Sequence, residues 1–142
     1  MLRPIALSLA AALALAGCSD GERQELAVGD CLTISGTGDT VGDVPVVDCD
    51  GVHEAEVYAA FDLDSGSYDE DAVIAEVEEA CVDRFDAYVG EPYRTSALDV
   101  FYTYPLEDAW AEGDRLAVCA VYAPDPDSGE PVAFEGTLAD AA

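Results

Sequence analysis

The sequence predicts an α+β fold: a single domain with an antiparallel sheet of four to six strands, one main helix packed on it, and two disulfides. Three observations predict it. Residues 53–63 alternate apolar and polar side chains, the two-residue period of a strand with one buried face. Residues 69–90 carry apolar side chains at three- and four-residue steps and end on a glycine, the period and stop signal of a helix. Four cysteines remain beyond the first eighteen residues, an even number that suits two cross-links.

The elements follow in chain order. Met1-Leu2-Arg3-Pro4 precedes an apolar run over 5–16 that is too short to span a bilayer, which takes about 20 residues. This is the layout of an export signal over 1–17. Leu15-Ala16-Gly17-Cys18 has the form of a lipobox, so Cys18 is the expected lipidation site and the new N-terminus. An ordinary secretory signal or an uncleaved anchor is the weaker alternative. Residues 18–27 are polar and read as a lipid-anchored tether, with a reach of roughly 35 Å when extended. The domain occupies 28–142. The expected location is the extracytoplasmic face of the cell membrane, held there by two acyl chains.

Residues 28–35 and 44–49 are short strand candidates separated by a Gly- and Asp-rich loop. Pro45 places the second at an edge or a strand start. In 53–63, Ala55, Val57, Ala59, Phe61 and Leu63 are expected on one face and Glu54, Glu56, Tyr58, Ala60 and Asp62 on the other. In the helix, acids at 69–71 suit the N-terminal dipole. Ile74, Val77, Cys81, Phe85 and Tyr88 form the apolar stripe, and Gly90 ends it before Pro92. Residues 98–104 are β-branched and aromatic, 105–113 hold a turn with one helical turn, and 115–122 are apolar on both faces, as in a central strand. Residues 132–138 make a last strand or extended segment.

Charge excludes whole classes of function. Thirty-one Asp and Glu face five Arg and no Lys, for a formal net charge of −26. Phosphate contacts need Lys and Arg, so nucleic acid is not a partner. A polybasic membrane-docking surface is excluded for the same reason. The membrane is met only through the lipid anchor.

Of the three connectivities open to four cysteines, Cys31–Cys49 and Cys81–Cys119 are favoured. The first joins neighbouring strands, and the second joins the helix to the strand it covers. Cys31 and Cys49 could instead join His53 in a zinc site. The spacings contain no CxxC, and export with pairing argues against it, so no metal and no cofactor are expected.

His53, the only histidine, stands near Glu54 and Glu56 as a conceivable metal ligand or general base. On a strand those acids point away from it, so the three do not converge, and a structural hydrogen-bonding role is favoured. No serine sits in a Gly-x-Ser-x-Gly elbow. Asp62-Leu63-Asp64-Ser65-Gly66 resembles a calcium loop, but its glycine falls at the fifth position and Val73 stands at the twelfth. Trp110 with Tyr93, Tyr102 and Tyr104 could line a ligand groove, but such residues more often anchor the core, and that reading is favoured. Arg115, following Gly113 and Asp114, reads as fixing a turn through a local ion pair.

Several blocks together resemble the septum formation domain of actinobacterial envelope proteins. They are Val28-Gly29-Asp30-Cys31, residues 47–57 around Cys49 and His53, the helix from Cys81 to Tyr88-Val89-Gly90, and Tyr104-Pro105 with Trp110, Gly113-Asp114-Arg115 and Cys119. Gly136-Thr137-Leu138 matches the last element. Val52 stands where the family usually has Pro, and Thr137 where it has Ser. The resemblance implies an exposed, membrane-linked envelope domain associated with septation. It brings no established reaction, so no catalytic residue carries over.

The function expected is non-enzymatic binding or scaffolding in the cell envelope, linked to septum formation, with envelope or division proteins as partners. The alternatives are a small-molecule, peptide or cation binding module of an envelope complex, or a hydrolase of envelope polymers.

Overall fold

The computed structural model describes residues 25–37, 44–64 and 66–142. The segment expected to be an export signal, Cys18 and most of the expected tether lie outside the described residues. Five strands form one sheet: β1 (Cys31–Leu32), β2 (Val46–Val47), β3 (Ala55–Asp62), β4 (Asp99–Thr103) and β5 (Leu116–Tyr122). The order is β2-β1-β3-β5-β4, every pair antiparallel. Helix α1 (Glu70–Val89) follows β3, and the short α2 (Glu107–Ala111) lies between β4 and β5.

The central place of β5 follows from its composition. Ala117, Cys119 and Val121 join the core under α1, while Val118 and Ala120 join a smaller core on the opposite face with Leu26, Leu32, Ile34, Val44, Ala55 and Val57. A strand apolar on both sides is stable only where both sides are covered.

Three sequence expectations are corrected. The first concerns β1 and β2, which are two residues each rather than spanning 28–35 and 44–49. Glu54 ends the ladder: its Oε2 accepts the backbone N–H groups of Ile34 and Ser35, both at 2.7 Å, and Oε1 accepts the Ser35 hydroxyl at 2.6 Å. Burial opposes ionisation of Glu54, but the Ser35 hydroxyl and the two N–H groups outweigh it and hold the carboxyl below the usual carboxylate range. Pro45 has no N–H to extend β2, and its carbonyl accepts from Thr33 N at 3.0 Å.

The second correction is to the faces of β3. Val57 pairs with Ala120 and Ala59 with Cys119, so Tyr58 is an extra residue in a β-bulge. Before the bulge, Ala55 and Val57 face the smaller core. After it, Ala59, Phe61 and Leu63 pack under α1. Glu56 and Tyr58, expected on the wetter face, also lie on the α1 side and are buried. The Tyr58 hydroxyl donates to the carbonyl of Cys81 at 2.7 Å.

The third correction is to the helix stripe. Val73, Val77, Cys81, Phe85 and Val89 are buried, while Ile74 and Tyr88 flank them. Steps of four on a 3.6-residue helix drift by about 40° each. The buried stripe therefore winds round α1 and follows the twisted sheet. The ends are as expected: the Asp69 side chain accepts from Ala72 N at 3.0 Å, and Gly90 adopts φ 92°.

Residues 132–138 are extended rather than a regular strand. His53 and Phe134 form an isolated bridge, and Asp140 N donates to the Tyr88 carbonyl at 2.9 Å, laying the C-terminal segment against the end of α1.

The outer face of α1 exposes Glu70, Asp71, Glu78, Glu79, Asp83 and Asp86. Like charges on this scale repel within the compact state, and salt screens them over a Debye length of about 8 Å at 0.15 M. Raising NaCl from about 0.02 to 0.5 M is expected to raise Tm by a few degrees, measured by calorimetry; a flat or falling Tm would refute net self-repulsion.

Candidate functional site

His53 lies just before β3, where the chain bends at Glu54. Its backbone N donates to the Phe134 carbonyl at 3.0 Å and its carbonyl accepts from Phe134 N at 2.8 Å. The two rings stand 4.4 Å apart, centroid to centroid. The imidazole is 1% exposed.

The bend changes what His53 meets. Glu54 turns away to Ser35, as expected, but Glu56 does not: its Oε1 stands 3.3 Å from His53 Nε2. The expectation that the neighbouring acids do not converge on His53 is therefore corrected for Glu56. Strand alternation holds only for unbroken extended chain, and residue 54 breaks it.

The hydrogen bonds constrain the protons. His53 Nδ1 is 3.0 Å from the Gly51 carbonyl, which can only accept, so Nδ1 carries a hydrogen. Nε2 then meets Glu56 Oε1 through one proton held between them. Glu56 Oε2 accepts three donors: Leu138 N at 2.8 Å, the Tyr88 hydroxyl at 2.9 Å and the Thr137 hydroxyl at 3.1 Å. Glu56 thus ties β3 to α1 and to the C-terminal segment at one point. Cys31, bonded to Cys49, is buried beside this pair. Cys81 and Cys119 form the second disulfide, as expected.

Sequence reasoning missed Glu56, Tyr88, Phe134, Thr137 and Leu138. One signal was present: a single carboxylate at Glu56 flanked by Ala55 and Val57 in the most apolar strand of the first half.

Trp110 and Arg115 form a separate cluster. Trp110 is 7% exposed, packs edge-on to Tyr68 at 5.6 Å, and lies under the Arg115 guanidinium, 3.7 Å from the ring centroid. Arg115 Nη1 donates to the carbonyls of Trp110 at 2.8 Å and Asp114 at 2.6 Å. The Asp114 carboxylate accepts from Leu116 N at 3.0 Å. These contacts close the turn from α2 into β5 and keep Trp110 in the core. The cluster stands apart from His53 and shares none of the contacts above.

Tyrosines do much of the pairing that lysines do elsewhere. The hydroxyls of Tyr88, Tyr93, Tyr102, Tyr104 and Tyr122 donate to Glu56, Asp99, Glu78, Glu70 and Asp99 respectively. Burial, and then the bond to Glu56, push Tyr88 up to about 12. The bond to Asp99, and then burial, do the same for Tyr93, and burial followed by Glu78 for Tyr102. An unfolded tyrosine titrates near 10, about two units lower. A raised folded value means that the native state holds these protons more tightly. Their stabilisation is complete below about pH 10 and is lost as pH rises through about 12. Urea midpoints are expected to fall steeply across that window, in step with tyrosinate absorbance and reversibly on neutralisation. A constant midpoint up to pH 12 would contradict it.

The fold and its buried hub define a class: a disulfide-stapled α+β domain with a histidine–carboxyl pair inside it. The family model described as Septum formation matches residues 28–142, and the chain belongs to that family. No curated protein and no solved structure matches it. Among the described residues no helix is long and apolar enough to cross a membrane.

Proposed function

We propose that the chain is a lipoprotein held through Cys18 on the extracytoplasmic face of the cell membrane. Its septum-formation domain binds or scaffolds envelope partners during division and carries out no reaction of its own. One observation carries the non-enzymatic reading. Each ring nitrogen of His53 and each carboxylate oxygen of Glu56 has a partner inside the fold, and both side chains are at least 95% buried. A general base must reach its substrate's proton, and this pair meets only the domain itself. Export is supported by the signal-like residues 1–17 and by two disulfides, which persist in oxidising compartments. A mature chain from Cys18 has four Arg against 31 acids, so an anionic bilayer repels it and the lipid must hold it.

In-cell crosslinking of the full chain with mass spectrometry tests this. Division or envelope proteins should be recovered, and Cys18 should carry a diacylglyceryl group. Cys18→Ser should release the chain from the membrane fraction and abolish the crosslinks. Unchanged membrane retention of that variant would overturn the anchor, and crosslinks to no envelope protein would overturn the scaffold.

A further inference from the structure

The Cys31–Cys49 bond ends beside the His53–Glu56 pair. The sulfur of Cys31, a ring nitrogen of His53 and a carboxylate oxygen of Glu56 lie within 4.8 Å of one another, and all three residues are buried. We propose that, when this disulfide is reduced, Cys31, His53 and Glu56 bind one zinc ion, with Cys49 completing the tetrahedron.

Four features carry the proposal. First, the donors are of the kind zinc takes, thiolate sulfur, imidazole nitrogen and carboxylate oxygen. Second, the spacing fits. Two donors each about 2.0–2.2 Å from a tetrahedral zinc stand roughly 3.3–3.6 Å apart, and His53 Nε2 to Glu56 Oε1 is 3.3 Å. The sulfur closes the remaining distance by side-chain rotation once its bond to Cys49 is gone.

Third, both non-sulfur ligands are already oriented. Nδ1–H of His53 is tied to the Gly51 carbonyl, which aims Nε2 inward, the arrangement that fixes metal-bound histidines. Oε2 of Glu56 is engaged by Tyr88, Thr137 and Leu138, which leaves Oε1 for the ion. Fourth, Cys49 and Val52 are exposed, so the turn between them provides an entry path.

The chemistry balances. A dithiol reductant supplies two electrons and two protons and is itself oxidised to a disulfide, while the Cys31–Cys49 bond becomes two thiols. Zinc then displaces both thiol protons and the proton held between His53 and Glu56, so three protons go to solvent and zinc keeps its oxidation state. In the oxidised chain Cys31 offers no thiolate and the site is closed. On the reading that the chain is exported, zinc would therefore hold β1, β3 and the C-terminal segment together in new chains until a disulfide oxidant takes two electrons from the two thiolates, is itself reduced to a dithiol, and the Cys31–Cys49 bond forms as the zinc ion is released.

Cys49→Ser opens the site without reductant and leaves Cys81–Cys119 intact, water taking the fourth position. The purified variant should retain one zinc per chain through gel filtration, and cobalt in its place should give a thiolate-to-metal charge-transfer band. Adding Cys31→Ser or His53→Gln should lower zinc affinity at least tenfold and, for Cys31→Ser, abolish the band. Oxidised wild type should bind none at this site. Failure of both the folded Cys49→Ser chain and dithiol-reduced wild type to take up zinc overturns the proposal, as does equal binding by oxidised wild type or by the Cys31→Ser double variant. Should Cys49→Ser fold only with metal, its circular dichroism on adding zinc decides. Recovery that depends on His53 supports the site, and no recovery overturns it.

Discussion

Replacing Cys81 and Cys119 together by alanine is expected to lower stability by roughly 4 kcal/mol. The closed loop spans 38 residues, and the chain-entropy model gives about that figure for a loop of this length. Both sulfurs are buried between α1 and β5, so packing is lost as well. Removing Cys31–Cys49, with its separation of 18, is expected to cost about 3 kcal/mol. Domains of this size have about 5–15 kcal/mol in hand, so the first variant should be marginal at 37 °C and the second should remain folded. Urea denaturation of the two double variants decides the order. If losing Cys31–Cys49 costs more, loop length is not what governs stabilisation here.

Glu56→Ala is expected to cost about 3–5 kcal/mol, the usual penalty for removing one member of a buried charged pair. The loss has two parts. His53 Nε2 is left without a partner at 1% exposure, and three donors from α1 and the C-terminal segment lose their acceptor. Glu56→Gln separates them. Its amide oxygen can accept Tyr88, Thr137 and Leu138 N while its NH₂ faces a neutral His53, so the expected cost falls to about 1–2 kcal/mol. Hydrogen exchange should show the segment after Phe134 released in the alanine variant and protected in the glutamine one. Equal destabilisation by both would mean that charge, not hydrogen bonding, holds the hub together.

The same reasoning separates the two sides of the proposed function. Both disulfides and Glu56 act inside the domain, so their variants should change stability before they change partner binding. Surface substitutions on the acidic face of α1 should do the reverse, since Glu79, Asp83 and Asp86 are exposed and lie away from the core.

Much of this molecule was legible from local pattern. Gly90 and the acids before it mark α1 because capping and helix termination are decided by neighbouring residues. β5 reads as central because an apolar run with no polar face has one stable place in a sheet. The disulfide pairing follows from which elements must be neighbours.

The hub was not legible, for a physical reason. Alternation assigns Glu56 to solvent, and only a bend at residue 54 and a bulge at Tyr58 turn it inward. Both depend on long-range partners: Ile34 and Ser35, which Glu54 captures, and the β5 register. Thr137 and Leu138 lie about eighty positions away, and no period connects them to Glu56. Sequence by itself determined the long helix, the central strand and the acidic composition, since each rests on local pattern or on residue counts, and the sulfur pairing followed from which of those elements had to be neighbours. Tertiary structure alone decided which carboxylate is buried and what it meets, because burying a charge requires donors from several segments at once.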